Sequence, residues 1–208
     1  FRHLPPQHSA LRRVGLIEQD ARVRRFVIDN IAASSVALVQ NSESNTVRLE
    51  IYDGLSLTTK NIVQAVYSAD ADAVGNTVEI SVSAQRTWFT GNKIYGVGVE
   101  NASARENVLT VSDGRYEMNA SHEGIFGASV RQALNNKVVV KGDAAVNGAV
   151  RGASVWRPTS AVSGNSVEIQ SGTFTRTSGV AYMGIAGAFI ESSNSAYEVR
   201  SNTVRISG

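Results

Sequence analysis

The chain has 208 residues, of which 42% are hydrophobic and 18% charged, with a formal net charge of +2. This balance excludes a highly charged disordered chain, and the absence of cysteine excludes thiol catalysis, disulfides and cysteine-ligated zinc. No apolar run approaches the roughly 20 residues that a membrane-spanning helix needs, so we expect no membrane insertion by this fragment.

Residues 1–30 are expected to form an N-terminal lead-in and an amphipathic helical cap. Apolar residues recur there at three- and four-residue spacing, at Leu11, Val14, Ile17 and Ala21. Such a cap would cover the open apolar end of a first solenoid coil. A basic helix that binds an acidic partner or a membrane surface is the alternative. We predict no nucleic-acid partner, because six arginines are concentrated in residues 1–30 and the rest of the chain shows no basic stripe along a folded face.

Residues 31–208 are organised around a repeat of about 30 residues. Each copy opens with asparagine and places apolar residues two and four positions later, as in Asn76-Thr-Val-Glu-Ile. The leading asparagines are Asn45, Asn76, Asn107, Asn136, Asn165 and Asn202. A period held over this many copies predicts one repeat array for this part of the chain.

Each copy divides into three strand-like pieces joined by a polar link. After the asparagine strand comes a short piece such as Trp88-Phe89, and then a small-residue piece such as Ile94-Tyr-Gly-Val-Gly-Val. Three strands without a helix between them predict an all-β fold, a right-handed parallel β-helix whose coils stack about 4.8 Å apart. Glycine and alanine in the third strand suit a narrow interior. A propeller blade or a leucine-rich repeat fits this pattern less well.

The repeated asparagines are interpreted as a structural ladder, not as a ligand site. Asparagine tolerates the left-handed backbone conformation of tight corners, and its amide can bond to the same group one coil away.

The segments Asn202-Thr-Val-Arg-Ile-Ser-Gly and Ile94-Tyr-Gly-Val resemble repeats in the passenger regions of bacterial autotransporters and related large surface adhesins. The resemblance covers roughly residues 31–208. It implies a parallel β-helix, a bacterial cell-surface or secreted location, and a non-enzymatic passenger fragment that acts as an adhesin or display stalk in virulence. The implied partner is a host-surface protein or a glycan.

The alternative is a carbohydrate-active β-helix enzyme of the polysaccharide lyase, glycosidase or phage tailspike type. Its best candidates are Asp113 and Asp143, in equivalent turns of adjacent copies, with Asp53 two copies earlier. Aspartate beside glycine is also an ordinary turn dipeptide, so we predict no catalytic residue. The histidines show no metal-ligand spacing, and no cofactor or metal is expected.

Trp88 and Trp156 lie in the more polar segments and are the candidate binding residues, since exposed tryptophan often anchors a partner. Burial of both rings against the solenoid is the alternative. The last copy extends only through its first strand, around Ile206. An open β-helix end of this kind would favour self-association.

Overall fold

A computed structural model of the chain describes residues 11–19, 23–31, 35–39, 43–51, 62–82, 88–90, 93–117, 124–156, 158, 160–175, 184–190 and 198–207. Within these ranges the structure contains 23 β-strands, numbered β1 to β23 in chain order, and no helix. The described chain is therefore all-β, as the repeat predicts.

The strands form four sheets, numbered here by their order within one repeat. Sheet 1 has eight strands: β1 (Leu11–Gln19), β2 (Val23–Ile31), β4 (Thr46–Ile51), β7 (Thr77–Val82), β11 (Val108–Ser112), β15 (Lys137–Lys141), β19 (Ser166–Ile169) and β23 (Thr203–Ile206). Sheet 2 has four: β8 (Trp88–Thr90), β12 (Arg115–Glu117), β16 (Ala145–Asn147) and β20 (Thr173–Thr175). Sheet 3 has six: β3 (Ser35–Val39), β5 (Ile62–Ser68), β9 (Lys93–Val99), β13 (Gly124–Val130), β17 (Ala149–Val155) and β21 (Ile185–Ile190). Sheet 4 has five: β6 (Ala73–Val74), β10 (Ser103–Arg105), β14 (Gln132–Leu134), β18 (Val162–Ser163) and β22 (Val199–Arg200).

Neighbouring strands from successive repeats run parallel and in register. In sheet 1, for example, Leu109 of β11 lies beside Val78 of β7 on one side and Val138 of β15 on the other. These partners are 31 and 29 residues apart, as are the asparagines that precede them. One repeat therefore makes one coil, and the predicted parallel β-helix is confirmed as a β-solenoid.

Sheet 4 was missed in the sequence, where its residues read as a polar link. Each of its strands is only two or three residues long, too short to show a period-two pattern. One small apolar residue per coil points inward from it, and Ala73, Ala104 and Ala133 are completely buried. The coil thus has four strands and not three.

The predicted N-terminal helix is not shown. Leu11–Gln19 is instead the strand β1, which pairs antiparallel with β2, and β2 pairs in parallel with β4. Two physical terms favour this outcome: Gly15 weakens any helix that contains it by about 1 kcal/mol, and the edge of β2 offers unpaired backbone groups to a neighbouring strand.

Sheet 1 turns its apolar side chains into the core. The residues two and four positions after the asparagines are at most 4% exposed from β4 to β19: Val47, Leu49, Val78, Ile80, Leu109, Val111, Val138, Val140, Val167 and Ile169. Burial of each such side chain contributes about 1.5–3 kcal/mol. On the last strand, β23, Val204 is 42% exposed and Ile206 is 68% exposed.

Glycine lets sheet 3 approach sheet 1 closely across this core. A Cβ atom placed on Gly127 would lie 3.1 Å from Cγ2 of Val138, and one placed on Gly152 would lie 2.7 Å from the backbone nitrogen and oxygen of Ser166. Those gaps are shorter than ordinary van der Waals contacts. The narrow interior expected from the small residues is present.

Candidate functional site

The turn that leads from sheet 4 into sheet 1, here called the asparagine corner, is occupied in successive coils by Asn45, Asn76, Asn107, Asn136, Asn165 and Asn202. In the first five, the side-chain Nδ2 donates a hydrogen bond to Oδ1 of the next asparagine, over 2.8–3.0 Å. The same Oδ1 accepts the backbone N–H of the preceding asparagine, over 3.0–3.3 Å. The result is a continuous ladder along the solenoid.

Asn136, in the middle of the ladder, uses its complete hydrogen-bonding capacity within the protein. Its Nδ2 donates to Oδ1 of Asn165 over 3.0 Å and to the carbonyl oxygen of Ala104 over 2.9 Å. Its Oδ1 accepts from Nδ2 and from the backbone nitrogen of Asn107, over 2.8 and 3.3 Å. An amide side chain has two donor hydrogens and two acceptor lone pairs, so none remains for a ligand.

The left-handed backbone conformation at this corner falls on the residue before each asparagine, and not on the asparagine itself as the sequence analysis expected. These preceding residues have φ between 52° and 68°: Ser44, Gly75, Glu106, Asn135, Gly164 and Ser201. The left-handed conformation costs about 1–2 kcal/mol at a residue other than glycine. Because the preceding residue adopts it, the asparagine itself can take the backbone conformation that the ladder needs.

A second corner, here called the open corner, follows sheet 3 and consists of Glu100, Arg131 and Trp156. Each is the first residue after a strand, following β9, β13 and β17 respectively, and the in-register pairing of these strands brings the three residues to the same position in successive coils. Unlike the asparagine corner, this corner carries a different side chain in each coil.

Arg131 is incompletely partnered at the open corner. Its guanidinium carbon lies 5.0 Å from the centre of the Trp156 ring, a cation–π contact. Its Nε atom is buried and has no hydrogen-bond partner among the described residues. Among the residues that the structure describes, no carboxylate forms an ion pair with this guanidinium. Trp156 is 37% exposed and Arg131 is half-buried, so both side chains have surface that a molecule outside the coil can contact.

Glu100 is engaged with Tyr67 and not with Arg131. The Tyr67 hydroxyl donates a hydrogen bond to the Glu100 carboxylate, and this bond, with a smaller effect from burial, raises the pKa of Tyr67 above its ordinary value. Next to it, Nδ2 of Asn101 donates to Oδ1 of Asp70 over 3.0 Å. Asp70 and Glu100 come after β5 and β9, and Arg131 comes after β13 on the next coil.

The open corner borders a groove of ≈ 400 Å³ on the outside of sheet 3. Besides the corner itself, the groove is lined by polar and aromatic side chains that include Gln64, Tyr67, Tyr95 and Asn101. Among the described lining residues, Glu100 supplies the single carboxylate. Ligand sites commonly have volumes of about 300–1,000 Å³, so the groove has the size of a small ligand-binding site.

A buried stack on the outer face of sheet 3 supports the groove. The rings of Tyr95 and Phe126 lie 5.5 Å apart at an angle of 29°. The Arg151 guanidinium follows, 5.0 Å from the Phe126 ring and 3.6 Å from the Phe189 ring. Arg151 is only 1% exposed, and its Nη1 donates to Oγ of Ser154 over 3.4 Å. Tyr95 belongs to both the stack and the groove, so the stack fixes the floor of the groove.

The two tryptophans of the sequence analysis fare differently. Trp156 lies in the groove, at the open corner. Trp88 lies on β8, where its backbone pairs with Arg115 of β12, and its side chain is outside the described part of the structure. The structure does not bring the two residues together in one described site.

The predicted aspartate candidates have a turn geometry. Oδ1 of Asp113 accepts the backbone N–H of Asp143 over 3.1 Å, which ties two successive turns together. Asp113 itself has φ of 52° and is followed by Gly114 with φ of 76°. Asp53 lies outside the described residues. Within the described ranges no three His, Cys, Asp or Glu side chains are grouped so that they could hold a metal ion.

Glu100, Arg131 and Tyr67 were not singled out in the sequence. A signal for the first two was present, because both follow a valine that ends the small-residue strand, in Gly98-Val-Glu and Ser129-Val-Arg. Trp156 follows the same strand end in Ser154-Val-Trp. Aligning the repeats on this valine would have placed the three residues in one column.

Comparison of the chain with protein-family models, with curated proteins and with solved structures found no match in any of the three. No helix long and apolar enough to cross a lipid bilayer occurs among the described residues.

Proposed function

We propose that the chain is a non-enzymatic passenger fragment of a bacterial surface or secreted protein, built as a right-handed parallel β-helix, that acts as an adhesin. The observation that carries the proposal is the groove at the open corner, where Trp156 is 37% exposed and the buried Nε of Arg131 has no hydrogen-bond partner among the described residues. Right-handedness is supported by the strong general preference of parallel crossover connections for that hand.

The chemistry of the groove supports binding over bond cleavage. Glycoside hydrolysis generally requires two carboxyl groups that flank the scissile bond. Glu100 is the single carboxylate among the described lining residues, and its oxygen already accepts the Tyr67 hydroxyl. The groove suits retention of a partner, and the partner class is a host-surface protein or a glycan.

An array of host-surface proteins and glycans, combined with a reducing-sugar release assay on the same ligands, tests this proposal. We expect saturable binding to at least one ligand, no release of reducing ends, and loss of binding in Trp156→Ala. Turnover that disappears in Asp113→Asn or Asp143→Asn would replace the proposal with a carbohydrate-active enzyme. Absence of binding and of turnover would leave a display stalk without its own ligand.

The proposal also includes self-association of two copies through the last coil. Three hydrophobic side chains are exposed on that coil: Val199 on β22 (49%), and Val204 (42%) and Ile206 (68%) on β23. A second copy that covers these side chains would remove apolar surface from water. Sedimentation velocity should show a sedimentation coefficient that rises with concentration, whereas a concentration-independent monomer would contradict this part.

A further inference from the structure

The groove is lined by hydrogen-bonding groups of both kinds, with Glu100 and Arg131 on adjacent coils. The buried Nε of Arg131 is a donor without a protein acceptor among the described residues, and Glu100 is an acceptor. The amide side chains of Gln64 and Asn101 also line the groove, and an amide can both donate and accept. A ligand that matches this pattern must itself donate and accept through closely spaced groups.

The charge distribution argues against an anionic ligand. Arg131 would attract a carboxylate or a phosphate, but Glu100 lines the same groove and Asp70 is held beside it by Asn101. An anion large enough to reach across the groove would approach these carboxylates, and like charges at short range repel each other. A cationic ligand would be repelled by the positive charge of Arg131. A neutral ligand avoids both costs.

The aromatic side chains supply the apolar part of the recognition. Trp156 is 37% exposed, and Tyr67 and Tyr95 also line the groove. Tryptophan and tyrosine combine a large apolar face with a polar edge, and they lose little side-chain entropy on binding. A sugar ring has the complementary character, because one face presents C–H groups while its rim carries hydroxyls that donate and accept.

We infer that this groove is a binding subsite for a neutral, hydroxyl-rich saccharide. Arg131 donates to sugar oxygens, the free acceptor positions of Glu100 receive sugar hydroxyls, and the rings of Trp156 and Tyr67 pack on the C–H face. The Tyr95–Phe126–Arg151 stack keeps this floor rigid before the ligand arrives, which lowers the entropy lost on binding. The inference rests on the proposed binding function and adds the ligand class and the residues.

The test is calorimetric titration of the full chain with two matched sets of soluble oligosaccharides. One set contains neutral hexose and N-acetylhexosamine oligosaccharides, and the other contains the same cores with a sialic acid, a uronic acid or a sulfate. We expect saturable binding of at least one neutral oligosaccharide and at least tenfold weaker binding of its acidic counterpart.

Three variants locate the site, and a fourth is the matched control. Arg131→Gln, Glu100→Gln and Trp156→Ala should each weaken binding of the neutral oligosaccharide by about tenfold or more, the factor that corresponds to about 1.4 kcal/mol. Arg48→Gln should leave it unchanged, because Arg48 is an exposed arginine on sheet 1 that pairs with Glu79. If Trp156→Ala fails to fold by circular dichroism, Trp156→Phe takes its place, with a smaller expected loss.

Three results would overturn the inference: preference for the acidic set, equal binding by all four variants, or no binding of any oligosaccharide. If no oligosaccharide binds while a host protein binds in the array, the adhesin proposal survives and the saccharide inference fails. If neither class binds, both fail together.

Discussion

The two corners of the coil share one stacking geometry but use it in opposite ways. At the asparagine corner the same residue recurs in six coils, and Asn136 has both donors and both acceptors paired within the protein. At the open corner the residue changes from Glu100 to Arg131 to Trp156, and Arg131 Nε has no hydrogen-bond partner in the part of the chain that the structure describes.

The difference shows how a solenoid separates structure from function. Identical polar side chains stacked at the coil spacing can satisfy each other, so a repeated polar residue consolidates the fold. Different side chains at equivalent positions cannot form a ladder, and their unused hydrogen-bonding groups remain available to a ligand. The positions at which the repeat breaks are therefore the positions to search for function.

The largest expected effect is on the asparagine corner. Asn136→Ala removes two donors and two acceptors and leaves buried partners on Asn107, Ala104 and Asn165 unsatisfied. Because each unsatisfied buried group costs about 1–3 kcal/mol, we expect a loss of about 3–5 kcal/mol in the free energy of unfolding, measured in urea. Asn202→Ala, at the half-buried end of the ladder, is the control and should lose about 1 kcal/mol. Equal losses at both positions would contradict a cooperative ladder.

The next effect concerns the support beneath the open corner. Arg151→Ala removes a buried guanidinium from between Phe126 and Phe189, and we expect a loss of about 2–4 kcal/mol by urea unfolding. Arg151→Lys keeps the charge but not the planar stacking, so its loss should be smaller than that of alanine but measurable. If Arg151→Lys is as stable as the wild type, the planar contact of the guanidinium with the two rings contributes nothing to stability. The stack would then not be the support of the groove.

A smaller effect tests the close approach of sheet 3 to sheet 1. Gly152→Ala places a methyl group against the backbone of Ser166, which cannot move as a side chain can, and overpacking of this kind costs about 1–3 kcal/mol. Gly184→Ala is the matched control, because no atom of the described residues lies within 4 Å of its added Cβ. Thermal unfolding should separate the two variants. If Gly152→Ala unfolds at the same temperature as Gly184→Ala, sheets 1 and 3 are not packed as closely as described.

The smallest effect is a change in titration at the open corner. The hydrogen bond to Glu100 raises the pKa of Tyr67, so the neutral phenol is favoured in the folded state. The contribution of this hydrogen bond to the stability of the folded protein is complete below the pKa of tyrosine in the unfolded chain, about 10. It is lost as the pH rises through the higher pKa of Tyr67 in the folded protein. Glu100→Gln should lower the pKa of Tyr67 towards its ordinary value, as followed by nuclear magnetic resonance of the ring. An unchanged pKa would exclude the Tyr67–Glu100 contact.

Much of the solenoid could be predicted because its signals are local or strictly repeated. The spacing of Val78 and Ile80 after Asn76 identified an inward-facing strand, and the small residues of β9 indicated a narrow interior. The strands of sheet 4 could not be found in this way, because a strand of two or three residues has no period. The β1 strand was misread as a helix because the spacing of Leu11, Val14 and Ile17 also fits a helical face.

The candidate site was harder to predict than the fold. Trp156 was identified by its type, but Glu100 and Arg131 are ordinary surface residues in the sequence. They come together only because coils of about 30 residues stack in register, and their dissimilarity hides the column that they share.

Urea unfolding of two double variants tests the contrast between the corners most directly. Each pair lies on adjacent coils: Glu100→Ala with Arg131→Ala at the open corner, and Asn107→Ala with Asn136→Ala at the asparagine corner. We expect the open-corner variant to stay within about 1 kcal/mol of the wild type and the asparagine variant to lose more than about 4 kcal/mol. Comparable losses in the two variants would show that the open corner is part of the structural framework and would contradict its assignment as the binding site.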